Sequence, residues 1–172
     1  MLRGLLQKRR LDKRIAKLRA RGEKLVMSSS TYLGFPENIS LGNNIMIREN
    51  CKLFGQGGIE IGDGCVLAHE IQILSANHNY NAQDLEYLPF DERYELRPVK
   101  IGKYVWIGAR VTIMPGSVIG DGAVIAGGAV VTGVIPPLAV AGGNPAKILK
   151  YRDKTIYEKL AAEEKSFVKE KR

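Results

Sequence analysis

The chain repeats a six-residue pattern over most of its length, and few folds are compatible with so short a period. Most of the repeated aliphatic residues are six apart; one step is eight residues long and another is 28. The repeated positions are Leu41, Ile47, Leu53, Ile61, Leu67, Ile73, Ile101, Ile107, Ile113, Ile119, Ile125 and Val131. The residue two before each of them is small or apolar, and five of the twelve are followed directly by glycine. Self-similarity at a fixed period indicates a solenoid.

The period itself predicts the shape of one coil. In a short strand, residues i and i−2 point to the same side, so both columns face a common interior. Glycine or asparagine then permits the tight turn that must follow, as in GDG at 62–64 and 120–122. Three sides close a triangular coil of 18 residues, so twelve hexads predict about four full coils, with a partial one before them. The alternative is a β-sandwich, whose strands recur every 8–12 residues and keep no six-residue register.

The repeat is suspended once, between Ile73 and Ile101, by 22 extra residues. We expect residues 79–98 to leave the coil as a loop. His78 lies where this loop departs, directly after Ser75-Ala76-Asn77. Loops held by a rigid scaffold often carry catalytic groups. His78 is therefore the candidate catalytic residue.

Few other side chains suit metal or thiol chemistry. The chain has two histidines, His69 and His78, and no cluster of further ligands that would complete a zinc site. Cys51 and Cys65 fall in the inward column and are predicted to be small core residues. We predict no metal.

The outward positions of one face are apolar. Met46, Val66, Trp106 and Val124 are predicted to follow one another on this face in successive coils. An exposed apolar row of this kind marks an interface or a ligand groove. The row favours an oligomer over a monomer.

The net charge of +8 belongs to the N-terminal segment. Residues 1–26 contain ten Lys or Arg and two acidic residues, whereas the other 146 residues balance. Leu11, Ile15 and Leu18 have helical spacing in this basic segment. Two interpretations stay open: a helix that contacts the inner face of a membrane, or a solvated helix or tail that packs on the coil. Nucleic-acid binding is not expected, because the segment has no aromatic residues.

The remaining bulk features concern the C-terminus and the compartment. Residues 153–172 are predicted to form a helix that packs on the solenoid, residues 27–152, through Ile156, Leu160 and Phe167. No apolar run is long enough for a transmembrane helix, and no secretion signal is indicated. We expect a cytoplasmic protein.

Three stretches resemble the motifs of a known family. They are SANH at 75–78, RPVKIGKYVWIGARVTIMPGSVIGDGAVIAGGAVVT at 97–132 and IPPLAVAGGNPAKILK at 135–150. Together with the hexads they resemble the hexapeptide-repeat acetyltransferases, in particular the branch of maltose, galactoside and polysaccharide O-acetyltransferases. The resemblance implies an all-β fold, the left-handed parallel β-helix, and a homotrimer.

The resemblance also implies an activity and a set of donor residues. His78 matches the general base that accepts the proton of an acceptor hydroxyl, and the co-substrate would be acetyl-CoA. The positions that match the family's coenzyme A contacts are Trp106, Ala109, Gly127, Thr132, Lys147 and Lys150. The residue after Thr132, usually lysine, is Gly133 here.

The acceptor is less defined by the resemblance. Sugar-specific members hold the acceptor with an Asn and an Asp, and the aligned positions here are Arg48 and Gln56. Arg48, Asn77 and Tyr80 are the candidate acceptor contacts. A carbohydrate or glycan hydroxyl is the expected acceptor. An amino sugar, a xenobiotic alcohol and a non-catalytic assembly role are the alternatives.

Overall fold

Three parallel β-sheets form the sides of a triangular solenoid in the computed structural model. The structure describes residues 2–170, and side chains from residue 4 onward; Met1 and residues 171–172 of the two predicted end segments lie outside this range. The first sheet contains β1 (Ala20–Arg21), β4 (Ile39–Leu41), β7 (Ile59–Ile61), β12 (Val99–Ile101), β15 (Val118–Ile119) and β18 (Val134–Ile135).

The other two sheets follow in each coil. Sheet 2 contains β2 (Leu25–Met27), β5 (Ile45–Ile47), β8 (Val66–Leu67), β13 (Trp106–Ile107), β16 (Val124–Ile125), β19 (Ala139–Gly142) and the antiparallel β20 (Lys147–Tyr151). Sheet 3 contains β3 (Tyr32–Gly34), β6 (Lys52–Phe54), β9 (Gln72–Leu74), β14 (Thr112–Ile113) and β17 (Val130–Val131). The remaining strands, β10 (Ala76–His78) and β11 (Tyr94–Leu96), form an antiparallel hairpin in the interrupting loop.

The predicted aliphatic columns form the core. All twelve repeated aliphatic residues are exposed by 3% or less. Cys51 and Cys65 are fully buried between them. The Cys51 thiol lies 3.0 Å from the Ala68 carbonyl oxygen, and the Cys65 thiol lies 3.0 Å from that of Gly102. Burial raises the pKa of Cys65 to about 12, so this thiol stays protonated and unreactive in the folded protein.

The corner between sheets 1 and 2 shows why the repeat needs its polar residues. The Asp63 carboxylate accepts a hydrogen bond of 2.8 Å from the backbone N–H of Asn43, one coil earlier. Asp121 accepts the same bond from Lys103, also at 2.8 Å. The bond from Asn43 is the main cause that lowers the pKa of Asp63. Each corner thus satisfies a backbone donor of its neighbour.

The solenoid has about six coils, more than the four and a partial one that the hexads predict. An additional coil, β1 to β3, precedes Leu41, and β18 and β19 extend the far end. The additional first coil gives a weak hydrophobic signal because Arg21 pairs in register with Leu41 and is exposed.

Helices cover the ends of the chain. Helix α1 (Leu2–Ile15) covers the first coil: Leu11 is buried, and Ile15 and Leu18 pack on the core. The N-terminal segment is therefore helical only to Ile15 and already belongs to the sheets from Ala20. A short 3-10 helix, Pro36–Asn38, leads into β4.

The C-terminal segment is two helices, where one was expected. Helices α2 (Lys154–Ala162) and α3 (Phe167–Glu170) are separated by a turn in which Glu164 has a φ of 49°. Ile156 and Phe167, predicted to pack inward, are each 61% exposed, whereas Val168 is 1% exposed. The turn re-orients the chain, which the helical spacing alone could not reveal.

The C-terminal helices flank the apolar row of sheet 2. The register confirms this row: Met46 pairs with Val66, Val66 with Trp106 and Trp106 with Val124. Met46 is only 5% exposed, contrary to the expected exposed row, whereas Trp106 is 56% exposed. A cavity of about 410 Å³ lies between the row and the helices, and its lining includes Val66, Trp106 and Phe167. Among the helices of residues 2–170, none combines the length and apolarity needed to cross a membrane.

The close stacking of corners predicts the effect of adding one methyl group. A Cβ on Gly62 would lie 2.8 Å from the backbone carbon and oxygen of Gly102 in the next coil. Because backbone atoms cannot move aside as a flexible side chain would, we expect Gly62→Ala to lower the free energy of unfolding by about 1–3 kcal/mol. Urea denaturation followed by circular dichroism measures this difference.

Gly4→Ala is the matched control, since an added Cβ there meets no atom within 4 Å on exposed helix α1. Alanine in a helix should raise stability slightly, by about 0.5–1 kcal/mol. Equal unfolding midpoints for Gly62→Ala and the wild type would contradict the stacking argument.

Candidate active site around His78

The loop that carries His78 is fastened to the coil at Ser75. The Ser75 hydroxyl donates to the Phe54 carbonyl oxygen at 2.7 Å and accepts from the Gly57 N–H at 2.9 Å. On the return of the loop, the Arg97 N–H donates to the Ser75 carbonyl oxygen at 2.9 Å. The fully buried Ser75 therefore joins the preceding coil to the returning end of the loop. The base of the loop is thus hydrogen-bonded to the coil.

The His78 imidazole packs against two aromatic rings of the loop. The Phe90 ring is stacked on it, with ring centroids 3.9 Å apart, and the Tyr94 centroid lies at 4.4 Å. The register of the hairpin, which pairs His78 with Tyr94, places the second ring. These aromatic residues hold the imidazole; neither was expected to do so from the sequence.

The two imidazole nitrogens differ in their surroundings. Nδ1 is buried and has no hydrogen-bond partner in residues 4–170. Nε2 is neither enclosed nor hydrogen-bonded within that range. Nε2 is therefore the nitrogen that a ligand can reach.

An ion cluster in the loop supports the two aromatic residues. Arg93, next to Tyr94, bonds the carboxylate of Asp91, next to Phe90, and that of Asp84 at 2.9 Å. Asp91 is only 4% exposed, and its hydrogen bond with Arg93 lowers its pKa. The sequence contains D-E-R at 91–93, but acidic and basic neighbours are too common to identify such a cluster in advance.

The predicted acceptor residues divide between two places. Asn77 and Tyr80 flank His78 in the chain, and the Asn77 side-chain oxygen accepts from the His78 N–H at 3.0 Å. Tyr80 and Tyr94 are among the residues lining a polar groove of about 560 Å³. Arg48 instead follows β5 in sheet 2 and pairs with Glu49 at 3.4 Å. One protomer does not bring Arg48 to His78.

The predicted donor residues form a second group. Ala109 and Gly127 stand one above the other at the corner between sheets 2 and 3, where the Gly128 N–H donates to the Ala109 carbonyl oxygen at 2.8 Å. Trp106 lies on sheet 2 just before this corner.

The basic donor positions lie at the C-terminal end of the solenoid. Lys147 and Lys150 are exposed on β20, which pairs with β19 of sheet 2. Thr132 is apart from them, at the corner between sheets 3 and 1 from which the His78 loop also departs. Gly133, next to it, has a φ of 99°, a conformation that lysine would adopt only with strain.

Metal chemistry has no visible basis in residues 4–170. Within them no three His, Cys, Asp or Glu side chains gather closely enough to hold an ion. His69 lies exposed in the corner column that also contains Ala109, one coil earlier, where the Arg110 N–H donates to its carbonyl oxygen.

Comparison with known proteins decides the family. A family model described as bacterial transferase hexapeptide, with six repeats, matches residues 98–133. The galactoside O-acetyltransferase of Escherichia coli K12 is 33% identical over 141 residues, which cover 80% of this chain and 68% of that protein. The chain belongs to the hexapeptide-repeat acetyltransferases.

Two solved structures of this family have the same fold. A maltose O-acetyltransferase from Clostridium difficile 630 is 36% identical with a TM-score of 0.76, over 84% of this chain and 75% of that one. A hexapeptide-repeat acetyltransferase from Vibrio cholerae O1 biovar eltor, complexed with acetyl-CoA, is 27% identical with a TM-score of 0.74, over 84% and 78%. The predicted left-handed β-helix and the predicted class of enzyme, an acyltransferase, are confirmed.

The ion cluster yields a prediction about the loop. Arg93→Met removes the positive charge between two carboxylates and leaves buried Asp91 without a counter-charge, which is strongly unfavourable. We expect amide hydrogen exchange across residues 79–98 to accelerate by about tenfold or more. Exchange in the coil should not change.

Arg97→Met is the control, because within residues 4–170 the ion pair of its side chain is with the partly exposed Glu95. The contact between Arg93 and the Asp91 carboxylate should also respond to acid. Because the pKa of Asp91 is lowered in the folded protein, its carboxylate contributes stability at a pH above its unfolded pKa of about 3.9. This contribution is lost as the pH falls through the lower pKa of the folded state. Loop exchange that is identical in both variants would contradict a special role for Arg93.

Proposed function

We propose that this chain transfers the acetyl group of acetyl-CoA to a hydroxyl of a carbohydrate or glycan, with His78 as the general base. The observation that carries the proposal is the accessible Nε2 of an imidazole fixed between Phe90 and Tyr94. The polar groove beside Tyr94 suits an acceptor rich in hydroxyl groups. The similarity to a galactoside and a maltose O-acetyltransferase supports the same chemistry.

The reaction needs one proton to move twice. Nε2 takes the proton of the acceptor hydroxyl while the hydroxyl oxygen forms a bond to the thioester carbonyl carbon. The tetrahedral intermediate then collapses, the carbon–sulfur bond breaks, and the imidazolium returns the proton to the leaving coenzyme A thiolate. The flanking aromatic rings stabilise the imidazolium formed between the two steps. Histidine suits this role because its charge changes near neutral pH.

The donor would lie along the corner between sheets 2 and 3. Exposed Gly127 leaves the backbone uncovered there, and Ala109 adds only a methyl group, so a narrow pantetheine arm can approach closely. The line of this corner leads to β20, where Lys147 and Lys150 can pair with phosphates. Trp106 would pack on the arm from sheet 2. Thr132 lies at a different corner and would bond the donor held by a neighbouring copy.

A homotrimer would unite these parts. His78 and Thr132 belong to one corner of the triangular solenoid, and Ala109, Gly127 and Arg48 lie at or near another. A closed ring of three copies can set the loop corner of one copy against the donor corner of the next. The exposed part of the apolar row on sheet 2, with Trp106, offers surface for such contact.

Replacing the base tests the mechanism. His78→Ala should lower kcat about 10²–10⁴-fold, because the acceptor hydroxyl then has no group to take its proton. The dissociation constant of coenzyme A, measured by calorimetry, should change less than about threefold. Turnover is followed with labelled acetyl-CoA in a screen of oligosaccharide, simple sugar and amino sugar acceptors.

Tyr87→Ala is the control for disturbance of the loop, since Tyr87 is an exposed loop residue and the ring contacts of His78 within residues 4–170 are with Phe90 and Tyr94. It should retain wild-type kcat. If no acceptor and no saturable coenzyme A binding were found, the proposed activity would be wrong; if His78→Ala kept full turnover, only the role of His78 would be.

Mixing two inactive variants tests the shared site. His78→Ala lacks the base, and Gly127→Phe fills the donor corner with a ring. If each site takes its base from one copy and its donor corner from the next, trimers assembled from equal amounts should regain about a quarter of wild-type activity. A site within a single copy would regain none, and a monomer in light scattering would exclude the arrangement.

A further inference from the structure

Helix α1 has one face on the solenoid and a second face in solvent. Leu11 is 5% exposed, and Ile15 packs on the core. At 3.6 residues per turn, the opposite side presents two leucines among cations. We call it the outer face: Leu5, Leu6, Arg9, Arg10 and Lys13, all of them exposed. Leu5 and Leu6 are 50% and 48% exposed.

The cations of this face outnumber the acidic side chains around them. Within residues 4–170, Arg9, Arg10 and Lys13 form no salt bridge, whereas Arg93, Arg97, Lys103 and Arg110 all do. Arg10 and Lys13 line a cleft of about 470 Å³ whose other charged residues are two cations and one acid: Arg14, Lys17 and Glu37. All of the excess positive charge of the chain lies within residues 1–26. The outer face is therefore matched to a negatively charged partner.

The helix is held in a fixed position at the end of the solenoid. The Arg14 guanidinium donates to the Leu33 carbonyl oxygen and lies 4.7 Å above the Tyr32 ring. With Leu11 buried on the same side, these contacts orient α1 on the first coil. Leu5, Leu6 and Arg9 are thereby directed away from the body of the protein, as a flat partner requires, and Arg10 and Lys13 also border the cleft with Pro36 and Glu37.

Charge and apolar surface together select the partner. A nucleic acid would use the cations but offers no apolar medium for the leucines, and the segment has no aromatic ring on which bases could stack. An anionic bilayer accepts both: headgroup phosphates attract Arg and Lys, and leucines enter the boundary of the acyl chains.

We propose that α1 docks this protein on the surface of an anionic membrane, with Leu5 and Leu6 inserted and Arg9, Arg10 and Lys13 at the headgroups. Since no helix of residues 2–170 could cross a bilayer, the contact is peripheral and reversible. This docking is separate from acetyl transfer, because the outer face shares no residue with the proposed donor and acceptor positions.

Vesicle binding by the full chain tests the proposal. Flotation with phosphatidylcholine vesicles that contain phosphatidylglycerol should recover the wild-type protein at about 0.1 M salt, and vesicles of phosphatidylcholine alone should recover little. A charge variant with Arg9→Glu, Arg10→Glu and Lys13→Glu should bind at least about 100-fold more weakly. A leucine variant with Leu5→Gln and Leu6→Gln keeps the charge and should bind about tenfold more weakly.

A control variant separates position from net charge. Lys52→Glu, Lys100→Glu and Lys159→Glu change the net charge equally at exposed sites outside α1. This variant should retain most of the binding, and thermal unfolding should show that all variants are folded.

Several results would overturn the proposal. They are equal recovery on neutral and anionic vesicles, an equal loss of binding in the control variant, and undiminished binding of the charge variant. Unchanged vesicle binding by the leucine variant, with tighter binding of wild type to a DNA or RNA duplex, would assign the cations to nucleic acid instead. None of these outcomes depends on whether His78 is the general base.

Discussion

Each coil of this protein has to turn at the same three places as the coil beneath it. A side of two or three paired residues tolerates no shift of register, because a shift by one residue would turn its aliphatic side chain outward. At the corner between sheets 1 and 2, two features keep successive coils in register. Asp63 bonds the backbone of the preceding coil, and Gly62 leaves room for the backbone of the following one. Core burial and corner geometry thus stabilise each other.

The loop that carries His78 is anchored to the regular coil but has no six-residue repeat of its own. Ser75 lies in the coil and bonds both the preceding coil, at Phe54, and the returning strand, at Arg97, so the loop begins from a base that is hydrogen-bonded to the coil. Beyond this base the order comes from the loop itself. The bond between Arg93 and Asp91 fixes the two positions next to Phe90 and Tyr94, and these rings orient the His78 imidazole. An imidazole held in this way needs no hydrogen bond at Nδ1 to keep its direction.

Spacing alone could predict the solenoid from Leu41 to Val131, since a period of six places one aliphatic side chain of each side in the core. It could not predict the first coil, where exposed Arg21 takes the place of an aliphatic residue. His78 could be found because the repeat stops there. Its neighbours Phe90 and Tyr94 could not, because an aperiodic segment gives no register from which the pairing of β10 with β11 follows. Likewise, only the turn at Glu164 explains why Val168 is the residue that the C-terminus buries.

The parallel pairing of strands in the three sheets continues across the interruption caused by the loop. β7 pairs with β12, β8 with β13 and β9 with β14, so the coils before and after the interruption are directly stacked. Residues 79–98 can therefore be lengthened, shortened or replaced in evolution without moving Ala109, Gly127 or the core. If Ala109 and Gly127 hold the donor as proposed, one scaffold can keep a single donor while the loop changes, and the segment between Ser75 and Arg97 is a unit that could be exchanged for that of a relative.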